Sequence, residues 1–408
     1  MKPRQHLPSH AARHVNWSRG LGATTLTLTL LVGCASHSPP RVDEMKVRQF
    51  AGQGYLSDDR YGIATTFHAW EVDGIRLDIA LTMPSTAGAF PLVIYFPALG
   101  ESRLAGDAWR TAWAQAGYAV VSCQLLSDDA SVWSSERART GDFTRLARER
   151  YAGQVVAERL AALRTLMHEL SRLHGNGMAP FERLDFSRVA VAGYDIGAYT
   201  AMVLAGEQIR GPSVPGLPFA INAAIALSPH ADFSGASFTE RYSDIRVPVL
   251  SVTGDRDVDA LGLVTSPSVR KAPFQHMPSG NKYLVVLSGV THRTLAGGKH
   301  GAESAGVGTP GDPGLVAEPS HDGGRGGARR KGGGMNRPPV EANAGERQGS
   351  QVSDVQALPT VQAMRVAAIQ GLTTAFLDAY VKSDPIAREW LARDAVRWIK
   401  DAGELHAK

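Results

Sequence analysis

The chain has 408 residues, of which 43% are hydrophobic and 20% charged, with a formal net charge of +4. So small a surplus of positive charge excludes a dedicated nucleic-acid binder, while the apolar fraction suffices for one large core. Neither an H-E-x-x-H run nor a cysteine pair at metal-ligand spacing occurs, so no metal site and no cofactor are read.

Lys2, Arg4, Arg13 and Arg19 precede an uncharged, mostly apolar run from Leu21 to Val32. That run falls short of the roughly 20 residues a membrane-spanning helix needs, so residues 1–33 read as a signal peptide. It ends in Leu31-Val32-Gly33-Cys34, which resembles the lipobox of bacterial lipoproteins. The resemblance implies cleavage before Cys34 and lipid on its thiol and new amino terminus. Because Ala35 follows rather than Asp, it also implies sorting to the outer membrane, facing the periplasm of a bacterial cell envelope. With Cys34 acylated, Cys123 is the sole remaining thiol, and stability has to come from an ordinary core. Residues 34–58, polar from Arg41 to Asp58, read as a tether between the membrane and a single domain spanning 59–408.

Tyr61 to Val72 and Ile75 to Met83 alternate apolar and polar residues around Asp73-Gly74, a hairpin signal. Pro91 to Phe96 and Gly117 to Cys123 are continuous apolar runs, as strands covered on both faces are. Between them Ala105 to Ala116 has helical spacing, with Trp109 and Trp113 on one face. Phe143 to Leu173 reads as one long amphipathic helix whose Arg and Glu residues form a solvated face. Ala220 to Leu227, Val247 to Thr253 and Lys282 to Leu287 add three apolar runs. The alternation predicts an α/β domain, doubly wound, with a mostly parallel sheet of about eight strands and helices on both faces.

Gly297 to Ser350 breaks the pattern. Glycine dominates it and it holds no Phe, Tyr or Trp, a composition that predicts a disordered insertion within the domain. Gly306 to Gly311 matches G-x-G-x-x-G, but no strand precedes it and no helix follows, which excludes a dinucleotide site. Arg329-Arg330-Lys331 reads as part of a solvated linker. Helical spacing returns from Thr360 to Tyr380, and Pro385 to Ala402 predicts a last helix with Trp390, Leu391 and Trp398 on its apolar side.

The stretch that organises the domain is Val189 to Gly206, VAVAGYDIGAYTAMVLAG. An apolar strand, a turn flanked by Gly193 and Gly197, and a helix of small residues give the layout of a nucleophile elbow, G-x-S-x-G, with Asp195 at the apex instead of Ser. Together with VPVLSVTGDRD and GVTHRTLAGG, the segment resembles the α/β-hydrolase fold in its dienelactone-hydrolase and platelet-activating-factor-acetylhydrolase-like branch. The resemblance implies that Asp195 takes the nucleophile's position, Asp257 that of the acid and His292 that of the base, with Asp255 as the alternative acid. It implies an oxyanion hole from the backbone N–H groups of Leu99 and Ile196. Tyr194 and Pro97-Ala98 depart from the His that the branch carries before its nucleophile and from its His-Gly loop. His230 and Asp232 read as the end of a strand.

A carboxylate attacking an ester carbonyl forms an adduct that expels the carboxylate rather than the alkoxide. At saturated carbon it forms an alkyl ester that a His-activated water can hydrolyse. Haloalkane dehalogenases and epoxide hydrolases of this fold use an elbow Asp in that way, although they place Trp after it, where this chain has Ile196, and carry a large cap. Leu227 to Val247 leaves no room for such a cap. Three functions stay open: a hydrolase of a small-molecule, ester-like or related substrate in which Asp195 is an altered nucleophile or a base toward water, an inactive hydrolase-like lipoprotein with a binding or scaffolding role, and a structural envelope protein.

Overall fold

A computed structural model describes residues 42–58, 60–72, 74–210, 217–231, 237–298 and 347–408, and of residues 42 and 347–359 the backbone alone. The chain divides into two units, Met1–Pro40 and Arg41–Lys408, and every described residue belongs to the second. The signal sequence with Cys34, Asp232, and residues 299–346 with their Gly306 to Gly311 and Arg329 to Lys331 motifs lie outside the described residues.

The described chain opens with helix α1 (Val42–Gly52), strands β1 (Ile63–Val72), β2 (Ile75–Pro84) and β3 (Phe90–Phe96), helix α2 (Asp107–Gln115) and strand β4 (Ala119–Leu125). Helices α3 (Glu136–Arg139), α4 (Phe143–Arg150) and α5 (Gly153–Gly175) lead to β5 (Leu184–Tyr194), α6 (Ile196–Leu204) and β6 (Ala223–Leu227). Then come α7 (Phe238–Tyr242), β7 (Val249–Arg256), α8 (Ala272–His276), β8 (Lys282–Thr291) and α9 (His292–Leu295). The C-terminal part is α10 (Arg347–Tyr380), α11 (Pro385–Arg393), α12 (Ala395–Ile399) and β9 (Gly403–Ala407).

The strands form one sheet in the order β1-β2-β4-β3-β5-β6-β7-β8-β9. From β4 through β8 all neighbours are parallel, whereas the β1/β2 and β2/β4 pairs and the last pair, β8/β9, are antiparallel. This is an α/β fold with a mostly parallel sheet. The strand that the expected eight lacked is β9, five residues that close the edge at β8.

Both faces of the sheet are covered, which is why its central strands are apolar throughout. Leu92, Ile94 and Phe96 of β3 point into a core that α5 fills with Leu160, Leu163, Leu166 and Leu170. Val93 and Tyr95, the intervening residues, join Trp109 and Trp113 of α2 and Ile369, Leu372 and Phe376 of α10 on the other face. The two tryptophans are fully buried, with indole N–H groups donating to Leu295 O and Thr373 Oγ1, each at 3.0 Å.

Several elements differ from the sequence expectation. The stretch read as a tether contains α1, which docks: the Phe50 ring stacks on Trp398 at 4.8 Å, and Trp398 Nε1 donates to the Phe50 carbonyl at 2.9 Å. One aromatic anchor outweighs an otherwise polar composition. The single helix expected from Phe143 is two, α4 and α5, parted at Tyr151 and an extended Ala152 (φ −60°, ψ 137°). Gly153 there passes so close to the Arg210 carbonyl that a Cβ would stand 1.6 Å from its oxygen. Helix α10 begins at Arg347 rather than Thr360, inside the segment expected to be disordered, and the last expected helix is the pair α11 and α12 followed by β9.

Candidate active site

The site lies at the C-terminal ends of the parallel strands, where open α/β sheets place ligands. At the end of β5 the backbone turns from strand to helix within one residue, Asp195, at φ 56° and ψ −115°. A non-glycine residue in that region costs about 1–3 kcal/mol, which the flanking packing has to offset. A Cβ on Gly193 would stand 2.2 Å from Gly197 C and O, and one on Gly197 would stand 1.9 Å from Phe96 O. Glycine is required on both sides of the apex, and the turn pushes Asp195 out above the sheet edge.

His292 is the first residue of α9, immediately after β8. Its Nδ1–H donates to Asp257 Oδ1 at 2.8 Å, and its Nε2 faces Asp195 Oδ1 at 3.7 Å, an ion-pair separation too long for a hydrogen bond. Asp195 and the imidazole are therefore an ion pair without a hydrogen bond between them. Asp257 follows β7 and is fully buried, accepting from Thr253 Oγ1 at 2.8 Å and Ser228 Oγ at 2.9 Å. Asp255 is exposed and accepts from the Gly289 backbone N–H at 2.7 Å, so it braces the turn at β8 and does not face His292. Tyr194 O–H donates to the His292 carbonyl at 2.9 Å, with the two rings 5.0 Å apart.

The charges at the site are balanced by a residue without a motif. Arg270, 1% exposed, sets its Nε 3.4 Å from Asp257 Oδ1 and donates to the carbonyls of Ser228 and Pro229 at 3.2 and 3.1 Å. Burial pulls the His292 ring toward its neutral form, but the hydrogen bond to Asp257 and the charge of Asp195 outweigh burial and Arg270, and its pKa lies above the ordinary histidine value. Burial pushes the Asp257 carboxyl up, and the His292 hydrogen bond and the Arg270 charge prevail, holding it below the usual carboxylate range. The arrangement is an imidazole between two carboxyl groups, with a guanidinium at its back.

The expected oxyanion donors, Leu99 and Ile196, are both buried. In the loop after β3 the N–H of Ala98 donates to Glu101 Oε2 at 2.9 Å and that of Gly100 to the Asp128 carbonyl at 2.8 Å, whereas the N–H of Leu99 between them makes no described hydrogen bond. Ile196 opens α6, where an N–H has no partner within the helix. Gln124 Nε2 holds the loop, donating to the carbonyls of Ala98 at 2.9 Å and Glu101 at 2.8 Å. Burial pushes the Glu101 carboxyl up to about 7, its backbone hydrogen bond from Ala98 opposes that, and the charge of Asp195 adds to it.

Tyr151 and His230 complete the surroundings. Tyr151 O–H donates to Asp195 Oδ1 at 2.8 Å, and the buried ring of His230, read from sequence as a strand end, lies 4.1 Å from that of Tyr151. Sequence reasoning missed Tyr151, Ser228, Arg270 and Glu101. The only signal for Tyr151 was Gly153, which marks a break in the helix that was read straight through. Among the described residues, no three His, Cys, Asp or Glu side chains are placed to hold a metal ion, and no helix is long and apolar enough to cross a membrane. The sequence matches no protein-family model, and no curated protein is similar enough to it to be matched.

Proposed function

We propose that the protein is a hydrolase of the α/β-hydrolase fold, most similar in layout to the dienelactone-hydrolase-like branch and without a large cap. Asp195 is its nucleophile toward a small ester-like or related substrate, and His292 with Asp257 activates the hydrolytic water. The observation that carries the reading is the strained Asp195 backbone at the end of β5, with His292 Nε2 at 3.7 Å and Asp257 behind the ring at 2.8 Å. The strand order supports it, as does the stretch between β6 and β7, in which α7 is the one helix described.

A carboxylate nucleophile directs the chemistry to a saturated carbon of the substrate, since attack there gives an ester that water can hydrolyse. The reading is tested by screening the purified protein against small esters, alkyl halides and epoxides beside Asp195→Ala. Turnover of at least one class that falls about a thousandfold or more in the variant is expected. Equal rates in both proteins, or none in either, contradict it and leave a binding or scaffolding role.

We also propose, on the lipobox-like Leu31-Val32-Gly33-Cys34, that the enzyme sits in the cell envelope, held by lipid on Cys34. Several acyl chains supply most of such a protein's membrane affinity, so Cys34→Ala moves it to the soluble fraction. A wild-type protein already soluble on fractionation contradicts the anchor.

A further inference from the structure

Tyr151 follows a strongly charged helix end, yet its side chain turns inward. It is 8% exposed, its O–H donates to Asp195 Oδ1 at 2.8 Å, and its ring lies nearly parallel to that of Tyr199 at 5.7 Å and against that of His230 at 4.1 Å. Rings from two other segments thus fix one hydroxyl on one oxygen of the elbow carboxylate. Burial and the charges of Asp195 and Asp259 hold that hydroxyl protonated far above the ordinary tyrosine value, so it acts as a donor at every working pH.

This contact makes the two oxygens of Asp195 unequal. Oδ1 accepts from Tyr151 and lies 3.7 Å from His292 Nε2. Oδ2 accepts no hydrogen bond among the described residues and is not one of the occluded polar atoms. A lone pair already committed to a donor is a poorer nucleophile, so Oδ2 is the atom that attacks carbon. Oδ1 then becomes the carbonyl oxygen of the alkyl ester on Asp195.

We propose that Tyr151 is a catalytic residue of the second half-reaction, its O–H acting as an oxyanion donor to Oδ1 when water attacks the alkyl ester on Asp195. The proposal rests on the hydrolase reading above. In the first half-reaction Oδ2 forms a bond to the substrate carbon, and the leaving group departs with the electron pair of the broken bond. In the second, neutral His292 takes a proton from water at Nε2 as the water oxygen bonds to Cγ, and the carbonyl electrons move onto Oδ1. Tyr151 receives that charge through the hydrogen bond it already makes to Oδ1. Collapse breaks the bond from Cγ to the alkoxy oxygen, His292 returns its proton to the alkoxide, and Asp195 is regenerated with one oxygen from water once it sheds the second water proton.

A donor aimed where charge develops is worth about 10²- to 10³-fold in rate. Primary alkyl iodides from methyl to hexyl serve as probes, iodide being the leaving group, with rapid quench and intact-mass measurement on the full-length protein. In Tyr151→Phe, which keeps the stacked ring and removes only the hydroxyl, a covalent adduct on Asp195 is expected to form within threefold of the wild-type rate and to decay about 10²- to 10³-fold more slowly. His292→Gln, which lacks the base, traps the same adduct and shows independently that alkylation occurs. An adduct trapped in His292→Gln, with Tyr151→Phe decaying at the wild-type rate or losing both steps equally, overturns the role of Tyr151 and leaves the hydrolase reading standing. No adduct in any of the proteins overturns both. Should Tyr151→Phe fail to fold, 3-fluorotyrosine at position 151 replaces it. The more acidic hydroxyl changes the decay rate alone if the proposal holds, and an unchanged decay rate overturns it.

Discussion

His292 is the residue on which the chemistry turns, because the hydrolytic step needs its ring neutral while its surroundings favour the cation. Its Nδ1 bond to Asp257 is the largest favourable influence on the charged form and the charge of Asp195 the next, with burial and Arg270 opposing both. The rate of hydrolysis therefore rises as pH climbs through a value above the usual 6.5 of histidine. Titration of the His292 ring by NMR is expected to show a larger fall in Asp257→Asn than in Asp195→Asn, with the acidic, rising limb of the pH profile moving down in parallel wherever activity remains. A larger effect of Asp195→Asn, or none from either, contradicts the charge arrangement. The shift is also a stability statement. The folded ring holds its proton more tightly than the unfolded one, so its contribution is present below about pH 6.5 and is lost as pH rises through the raised value. Asp195, Asp257 and His292 were legible from sequence because each sits at a strand end within a short motif. Arg270 and Tyr151 were not, because each reaches the site from a remote segment that carries no pattern of its own: Arg270 from the turn of 3₁₀ helix before α8, Tyr151 from the gap between α4 and α5.

At the scale of elements, periodicity found what burial dictates and missed what single contacts dictate. The apolar runs around Ile94, Val121, Val191, Ile225, Val252 and Val285 are central strands because they are covered on both faces. The segment from Arg41 reads as polar because its docking rests on a single ring, Phe50 stacked on Trp398, and composition averages that contact away. The break between α4 and α5 escaped notice for a related reason. Charged residues continue on either side of Tyr151, while the constraint is the Arg210 carbonyl, 57 residues along the chain from Gly153. The last strand, β9, is five residues with one buried side chain, Leu405, and its pairing to β8 rather than its own sequence makes it a strand. The break matters to function, since a continuous helix would carry residue 151 along its own axis instead of turning it under the elbow.

For the whole molecule, the sheet brings together three strand ends that lie far apart in sequence: β5 supplies Asp195, β7 Asp257 and β8 His292. Packing of α5 and α6 on one face and α10 on the other fixes those ends, so the carboxylate, the imidazole and the second carboxylate stand in line. Pre-formed geometry of this kind is what lets a site stabilise developing charge without reorganising. The central claim is that the elbow carboxylate itself bonds to substrate carbon. A single turnover in ¹⁸O-labelled water, with enzyme in excess over the best substrate of the hydrolase screen, tests it most directly. The account predicts an unlabelled alcohol product, its oxygen taken from Asp195, and one labelled oxygen left in the Asp195 carboxylate on peptide mass analysis. Labelled product from the first turnover, with Asp195 unlabelled, would mean that water attacks the substrate directly and would contradict the account.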